Sequence, residues 1–432
     1  MKFPGKRKSK HYFPVEDKGR VPLDFDFYQK GKAFVLGIGQ PLVDIEICID
    51  EQMLNELELL KGQSHVLDEK RAEDLYQKMR AEDRIRGEYA GGAIGNTLHN
   101  YSVLADDQSV LLGSISKRIT VGDYAFKYVC NTSTKVDLSY LQPCEGRMGR
   151  AMCFITPDGE RTFAISKGVS SCLEQEFIPS DLVEKASALL ITAFTLRDES
   201  EPIFESTLKA VRIANKVGIP VVLSLGTSTL VADKKDFLNN FIKNHVNIVA
   251  MNNCEAKHLT GIDDPLLSAE KILDIADMLL LTVGERGLYI GAHVEKELAR
   301  RTKHELHTKS IVSYNKYEYS RAMLKSICEE PMKIYSHINP YMGGPGLIKN
   351  TNGAGDAALS ALLHDITANS YHGVIIPNSP KHMATFLTYS SISQICKYAN
   401  RVSYEVLSQN SPRLIKGLPE RESCLEQAYW DM

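Results

Sequence analysis

The sequence predicts an α/β protein whose central sheet is mainly parallel and carries helices on both faces. From Ala186 onward, short apolar runs alternate with segments of helical period, the pattern of parallel strands joined by helices. The 432 residues are 43% hydrophobic and 24% charged, as in ordinary globular proteins. Ligands of such sheets bind beyond the carboxyl ends of the strands, so the residues that follow each strand are the first site candidates.

The elements follow in order along the chain. The first strand is Ala33–Ile38, and after the turn 39–41 a second extended run, Leu42–Ile49, is interrupted by the carboxylate Asp44. Ala151–Ile155 and Arg161–Ile165 flank a Pro-Asp-Gly turn and predict a β-hairpin. The alternating part predicts strands at Ala188–Ala193, Val221–Leu225, Val246–Met251 and Leu279–Val283, and helices at Glu205–Lys216, Asp236–Asn244, Ala256–Thr260 and Ile272–Met278.

Composition excludes several classes of protein. With 51 Lys and Arg against 54 Asp and Glu, the net charge of −3 argues against binding to nucleic acid through its phosphates. No apolar run is long enough to span a membrane, and no apolar run follows the basic start to make a signal peptide, so a cytoplasmic protein is expected. Nine cysteines without a CxxC pair indicate reduced thiols rather than disulfides or a zinc site.

Two segments lie outside this pattern. Residues 1–32 predict a basic N-terminal arm, since five of the first ten are Lys or Arg; a solvated tail and a contact with phosphate or a partner both remain open. An insertion is expected at about 293–349, with a helix of its own around Tyr317–Ile327.

The segment Asn350–Asp356, NTNGAGD, leads directly into a helical pattern. We expect the helix to begin within Gly353, Ala354 and Gly355, whose small side chains leave the backbone amides open to a phosphate. Asp356, beside that anion site, suits a base that takes a proton from an attacking hydroxyl. A helix cap with a glycine turn explains the same residues without a function.

Three further segments are candidates. Gly91 and Gly92 permit close approach of a ligand, and Asn96 can bind vicinal hydroxyls, although a structural glycine turn is the alternative. Asn252 and Glu255 follow a strand and could orient Mg²⁺ through bound water, or simply cap a helix. The segment Thr282–Gly287 is compatible with a nucleotide resting on backbone.

Other nucleotide and hydrolase motifs are excluded. After Gly37-Ile38-Gly39 the third glycine position of a dinucleotide fingerprint holds Leu42, and no helix follows. The sequence contains neither a GxxxxGK[ST] loop nor a GxSxG elbow, which excludes P-loop enzymes and α/β-hydrolases.

In order and spacing, these motifs together resemble the ribokinase-like (PfkB) carbohydrate and nucleoside kinases, from about Ala33 to Leu407. The segment Gly39–Asp44 is similar to the nucleoside-kinase branch, and the whole chain resembles the bacterial members that act on inosine and guanosine. One departure is Asn350, where the family usually has Asp.

The resemblance implies a three-layer α/β/α domain, residues 33–410, with a discontinuous β lid that includes about 150–166, followed by a C-terminal tail at 411–432. It implies an ATP-dependent kinase that phosphorylates the 5′-hydroxyl of guanosine and inosine, with Mg²⁺ accompanying ATP, a monovalent cation as a further option, and a homo-oligomer by analogy. The resemblance implies that Asp356 is the base, that Gly353, Ala354 and Gly355 form the anion hole, and that Arg161 on the lid neutralises charge on the transferred group. It implies a nucleoside site formed by Gln40, Asp44, Gly91, Gly92 and Asn96, and an ATP site formed by Thr282, Gly284, Glu285, Gly287 and Asn400. Magnesium would be bound through water by Asn252 and Glu255.

Arg197 follows a strand on the substrate edge and could donate two hydrogen bonds to O6 and N7 of a 6-oxopurine, which adenine would accept poorly. The alternative is a surface arginine paired with Asp198 or Glu199. At the level of function, an adenosine or sugar kinase and a non-catalytic nucleotide-binding regulator remain the alternatives.

Overall fold

Two β-sheets, one large and one small, organise the chain. The computed structural model describes residues 33–418, except 106, 159, 303–314, 342–347 and 350. Within these residues the strands are β1 Val35–Ile38, β2 Leu42–Cys48, β3 Ser64–Val66, β4 Ile85–Gly91, β5 Ser109–Ser116, β6 Val136–Asp137, β7 Leu141–Cys144, β8 Gly149–Ile155, β9 Arg161–Ser166, β10 Ala188–Thr192, β11 Val221–Ser224, β12 Ile248–Asn252, β13 Met278–Thr282, β14 Leu288–Glu295 and β15 Pro331–Ile338. The α-helices are α1 Glu51–Glu56, α2 Glu69–Ala81, α3 Ala93–Ala105, α4 Tyr124–Cys130, α5 Ser180–Lys185, α6 Pro202–Val217, α7 Ser228–Asp233, α8 Lys235–His245, α9 Asn253–Thr260, α10 Pro265–Ile272, α11 Ala354–Ile375 and α12 Ile392–Leu407.

The large sheet has the order β15-β14-β13-β12-β11-β10-β1-β5-β6, with β7 paired to β5. The strands from β13 to β5 in this order pair in parallel, whereas β14 and β15 pair antiparallel at one edge. The predicted mainly parallel sheet is therefore confirmed. At the carboxyl ends of β10 to β13, Thr192 pairs in register with Ser224 and Asn252 pairs with Thr282.

Helices cover both faces of this sheet. Leu189 and Ile191 of β10 enter one core with residues of α6 such as Ala210, while Leu190, between them, enters the other core with Leu98 of α3. Burial of both faces requires continuous apolar strands, which is why the sequence shows runs rather than alternation here. The three-layer α/β/α class is confirmed.

The small sheet has the order β3-β9-β8-β2-β4 and comes from four separate segments of the chain, namely β2, β3, β4 and the hairpin of β8 and β9. β8 and β9 form the predicted hairpin, with Ile155 paired to Arg161. After β1 of the large sheet, the turn at 39–41 leads into β2, which pairs in parallel with β8 and brings Asp44 opposite Ala151. The small sheet thus holds one carboxylate of the predicted site.

Two predicted helices were wrong. The helix expected at Ile272–Met278 lies earlier, at Pro265–Ile272, because Pro265 at its first position and the capping carboxylate of Asp264 start it there. The helix expected at Tyr317–Ile327 is replaced by turns and a short 3₁₀ segment, Lys325–Ile327. Met323 there donates its backbone N–H to the carbonyl of His293 of β14 over 2.8 Å, so this part of the segment pairs with a strand and does not form a helix.

Some predictions lie outside the described residues, namely the basic arm 1–32, Asn350, and the tail from 419 onward. Along the described parts of the chain, no helix has the length and apolar character needed to cross a membrane. The eight cysteines described there form no disulfide.

Candidate active site

A cavity of about 1310 Å³ lies at the carboxyl ends of β10 to β13, between the large sheet, strand β2 and the first turns of α3 and α11. Its volume exceeds the ~300–1,000 Å³ usual for one small ligand, so two substrates fit together. The sequence-predicted residues on its wall are Gln40, Asp44, Gly92, Asn96, Arg197, Asn252, Glu255, Thr282, Gly284, Glu285, Gly287, Gly353, Ala354, Gly355, Asp356 and Asn400.

The N-terminus of α11 opens into this cavity. Gly353 precedes the helix with φ +78°, and a Cβ there would lie 2.6 Å from the carbonyl oxygen of Pro412, so only glycine fits. A Cβ on Gly355 would meet nothing within 4 Å. The N-cap residue of this 22-residue helix is Gly353, which has no side chain to bond the first amides, so they and the positive end of the helix dipole can face an anion.

Asp356 lies in the first turn of α11. Its removal from water raises the pKa to about 7; the neighbouring Asp44 and Glu255 add to the increase, while a hydrogen bond from Asn96 and the charge of Arg413 oppose it. A carboxyl group with a pKa near 7 is partly ionised at neutral pH and can accept a proton from a hydroxyl.

Asp44 is the second acid of the cavity and is only 9% exposed. Burial raises its pKa to about 7, which Glu46 also raises, whereas Arg413, Asn96 and Arg161 lower it. Gly91 is behind this side chain, since a Cβ at Gly91 would lie 2.3 Å from the carboxyl carbon of Asp44. Gly91 therefore makes room for the acid and does not line the cavity.

Asn96 links the acids to the rest of the site. Its Nδ2 lies 3.4 Å from Oδ2 of Asp356 and its side chain also hydrogen bonds to Asp44. It belongs to α3, whose start follows Gly92, a residue with φ +83° where a Cβ would approach the carbonyl oxygen of Gln40 within 2.5 Å. The glycine turn thus aims the helix that carries Asn96 at the cavity.

Asn252 and Glu255 form a capping box at the start of α9. Glu255 Oε2 accepts from the backbone N–H of Asn252 over 3.0 Å and Oε1 accepts from its Nδ2 over 2.8 Å. Burial raises the pKa of Glu255 to about 7. No group of three or more His, Cys, Asp or Glu with metal-binding geometry occurs in the described ranges. The magnesium role expected for these two residues stays a prediction.

The far end of the cavity is formed by Thr282–Gly287 and α12. Gly287, with φ +82°, brings its backbone so close to Ile338 that a Cβ would lie 1.9 Å from the Ile338 carbonyl oxygen. Asn400 is buried and donates its Nδ2 to the carbonyl of Asn339 over 2.9 Å. These contacts fix the backbone of this wall through the approach of Gly287 to Ile338 and the hydrogen bond of Asn400.

Arg197 lines the opposite end, and its guanidinium lies 5.2 Å from the ring centre of Phe194. Within the described residues it makes no ion pair with Asp198 or Glu199: Asp198 accepts from Ser200 and Glu199 is 3.8 Å from Lys234. The surface-pair alternative therefore does not hold, and the guanidinium faces the cavity beside an aromatic ring.

Arg161 begins β9 and is outside the cavity wall, although its charge reaches Asp44. The lid role expected for it stays a prediction.

Sequence reasoning missed several residues of the site. Tyr341 and Tyr404 line the cavity near Asn400 with ring centres 5.0 Å apart, and Phe163 of β9 lines the end near Arg197. Arg413, from the chain after α12, is 3% exposed and donates to Asn96. A single tyrosine in an insertion, or a single arginine in a polar tail, belongs to no motif and no periodic pattern, so the sequence gives no sign of its role.

Comparison with known proteins gives one family. Residues 70–306 match the model of the pfkB family carbohydrate kinases. The chain is 53% identical, over 100% of both chains, to guanosine-inosine kinase of Escherichia coli strain K12, and equally to the protein of the same name from Escherichia coli O157:H7.

Solved structures share the fold at lower identity. The adenosine kinase of Sinorhizobium meliloti is 20% identical with a TM-score of 0.67, covering 92% of this chain and 99% of its own. A probable sugar kinase from Rhizobium etli is 21% identical with a TM-score of 0.68 over 92% and 99% of the two chains. The Anopheles gambiae adenosine kinase, in complex with a di(adenosine) tetraphosphate, is 15% identical with a TM-score of 0.62 over 87% and 96%.

Proposed function

The chain belongs to the pfkB family of carbohydrate kinases, and from that premise we propose how its residues transfer the γ-phosphate of ATP to the 5′-hydroxyl of guanosine and inosine. It is an ATP-dependent nucleoside kinase, related over its full length to guanosine-inosine kinase. The products are GMP and IMP, as in purine salvage.

One observation carries the proposal: Asp356, with a pKa of about 7, lies at the uncapped N-terminus of α11. A carboxylate beside an anion site would repel a phosphate, so its place there is explained by proton transfer. Asp356 accepts the proton of the 5′-hydroxyl as that oxygen attacks, and the amides of Gly353, Ala354 and Gly355 stabilise the charge of the transferred phosphoryl group. A purely regulatory nucleotide-binding protein would not need this base.

The two ends of the cavity suit the two substrates. Asp44, Gln40 and Gly92, with Asn96, would bind the ribose, and Gly91 leaves space for the Asp44 carboxylate. Thr282, Gly284, Glu285, Gly287 and Asn400 would hold ATP, with the Tyr341–Tyr404 pair beside its base. Asn252 and Glu255 would contact Mg²⁺ through its water, and the ion when bound neutralises charge on the β- and γ-phosphates.

The position of Arg197 beside Phe194 favours binding of a 6-oxopurine base over binding of adenine. The guanidinium, held against the Phe194 ring, can donate to O6 and N7, while the amino group of adenine offers a donor where an acceptor is needed. An adenosine or sugar kinase of the same family is the second candidate, favoured by the solved structures that share the fold.

Five further points belong to the proposal. The single catalytic domain spans 33–410, with residues 411–414 packed onto its helix α3, and the small sheet acts as a lid that brings Arg161 toward the transferred group. The enzyme works in the cytoplasm, as expected for purine salvage. A homo-oligomer and a monovalent-cation requirement remain predictions.

The decisive experiment incubates the purified protein with Mg-ATP and guanosine, inosine, adenosine, cytidine, ribose or fructose in turn, and measures ADP and the phosphorylated product. We expect guanosine and inosine to react fastest, and Asp356→Asn to abolish the transfer. Turnover confined to adenosine or to free sugars would assign the chain to the second candidate, and activity retained by Asp356→Asn would refute the assigned base.

A further inference from the structure

The chain beyond α12 returns to the active site. Residues 411–414 lie along α3, where the buried Asn100 accepts from the backbone N–H of Leu414 over 2.7 Å. His99 Nε2 donates to the carbonyl of Leu414 over 2.9 Å and its Nδ1 accepts from the backbone N–H of Ser133. Pro412 packs against Gly353 at the start of α11. Buried polar side chains therefore fix this segment between the two helices that form the cavity.

Arg413 points from this segment into the protein behind the cavity, where it is 3% exposed. Its Nε donates to Oδ1 of Asn96 over 2.9 Å, and its Nη1 donates to Oγ1 of Thr132 over 2.7 Å. Further hydrogen bonds go to the carbonyls of Asn131, over 3.3 Å, and Gly91, over 3.2 Å. A planar guanidinium held at several edges has one orientation.

This orientation decides which way the Asn96 amide faces. Arginine has only donors, so the oxygen of the amide must face Arg413. The amide NH₂ then faces the cavity and donates toward Asp356, with Nδ2 at 3.4 Å from Oδ2, and toward Asp44. Without the guanidinium, only the acids would favour this orientation, and an acid that holds a proton can instead donate to the amide oxygen, so the amide would be free to turn.

Arg413 also balances the charge of the acids. The charge of Asp44 raises the pKa of Asp356, and the charge of Arg413 lowers the pKa of both carboxyls. The other charged groups that act on them are Glu46 and Arg161 at Asp44 and Glu255 at Asp356. Arg413 is the cation whose charge acts on both carboxyls.

We propose that Arg413 is a positioning residue for phosphoryl transfer, which orients the Asn96 amide and through it the carboxylate of Asp356. The C-terminal segment, which lies outside residues 70–306 that match the family model, thus completes the active site. This inference rests on the proposed function, because it assigns Asp356 as the base.

The test compares Arg413→Gln and Arg413→Lys with the wild type, and uses Lys416→Gln as the matched control, since Lys416 is on the same segment but exposed. We expect Arg413→Gln to lower kcat at least about tenfold, as misplacement of a reacting group does, with a much smaller change in KM for ATP. The acid limb of kcat against pH should move up by about one unit, because an opposing charge is lost. Lys416→Gln should behave as the wild type.

Arg413→Lys keeps the charge but cannot bridge Asn96 and Thr132 together, so we expect a loss of kcat with little shift of the acid limb. A wild-type kcat and pH profile in Arg413→Gln, even with a lower melting temperature, would show a merely structural role and overturn the proposal. If circular dichroism shows that Arg413→Gln does not fold, a wild-type kcat in Arg413→Lys overturns it instead. Wild-type protein that phosphorylates no nucleoside refutes the proposed function separately, and the variant ratios can then be measured on whichever acceptor reacts.

Discussion

Asn96 donates a hydrogen bond from Nδ2 to Oδ2 of Asp356 over 3.4 Å. The two residues lie in the first turns of α3 and α11, so the N-terminal ends of two helices meet at one cavity. One end supplies an amide that can bind hydroxyls, and the other supplies a base beside open backbone amides. The acceptor hydroxyl and the phosphoryl group can therefore meet between them.

The pKa of Asp356 predicts the pH dependence of the rate. Since the group must be ionised to accept a proton and its pKa is about 7, kcat should fall about tenfold per unit as the pH drops well below that value. We would measure single-turnover transfer to guanosine between about pH 5.5 and pH 8.5, where protonation of the base is the expected limit. A rate that is constant over this range would contradict the assignment.

The same shift predicts a stability effect of Asp356→Asn. The native pKa of Asp356 is raised, so between the unfolded and folded pKa values the native state binds more protons, and the free energy of unfolding decreases as the pH rises toward about 7. Asparagine cannot ionise, so the Asp356→Asn variant does not undergo this decrease in the free energy of unfolding. The variant should be inactive yet more stable than the wild type, and its advantage should grow by about 1–2 kcal/mol between pH 5.5 and pH 8.

Denaturant unfolding at the two pH values measures this effect. Asp44 and Glu255 have raised pKa values as well, but they are present in both proteins, so the difference between the proteins reports Asp356. An advantage that shrinks with increasing pH would contradict the raised pKa.

Gly355→Ala separates folding from catalysis. The added methyl group meets no protein atom within 4 Å and replaces a helical glycine, so stability should stay constant or rise by up to about 1 kcal/mol. The methyl group would project into the cavity above the helix amides, and kcat should fall at least about tenfold if a phosphoryl group must approach them.

Gly373→Ala is the matched control, since Gly373 is near the other end of the same helix and its Cβ would make an ordinary contact, 3.5 Å from His382. It should change stability in the same direction and leave kcat unaltered. Full activity in Gly355→Ala would contradict the role of the helix amides in phosphoryl transfer.

Much of the fold could be predicted because local sequence patterns determine it. The parallel strands are buried on both faces, so β10 to β13 appear as apolar runs and were located within two residues. Pairing between distant segments leaves no such pattern: Leu42 of β2 lies opposite Gly149 of β8, and nothing in either run identifies the other. Local patterns therefore predict only the hairpin of the small sheet, and its discontinuous form is implied by the family resemblance.

In the candidate site, too, residues in local motifs could be predicted and residues held by contacts between remote segments could not. Gly353 and Asp356 could be found because an anion site at a helix N-terminus needs small residues in a fixed order. Arg413 could not, because its burial depends on Asn100 and His99, which hold the segment in place from a helix early in the chain. Single polar contacts between remote segments have no local signature.

Arg197→Ala tests which base the site prefers. Arg197 lines the cavity beside Phe194 and forms no ion pair in the described part of the chain that would hold it elsewhere. If its guanidinium donates to O6 and N7, loss of the pair should reduce kcat/KM for guanosine and inosine about 10- to 100-fold, while adenosine, which cannot accept at position 6, should change little. Arg212→Ala is the control, because Arg212 is exposed on α6 and lies 3.9 Å from Glu205, and it should affect no substrate. Equal losses for guanosine and adenosine would mean that Arg197 acts on the fold of this wall and not on the choice of base.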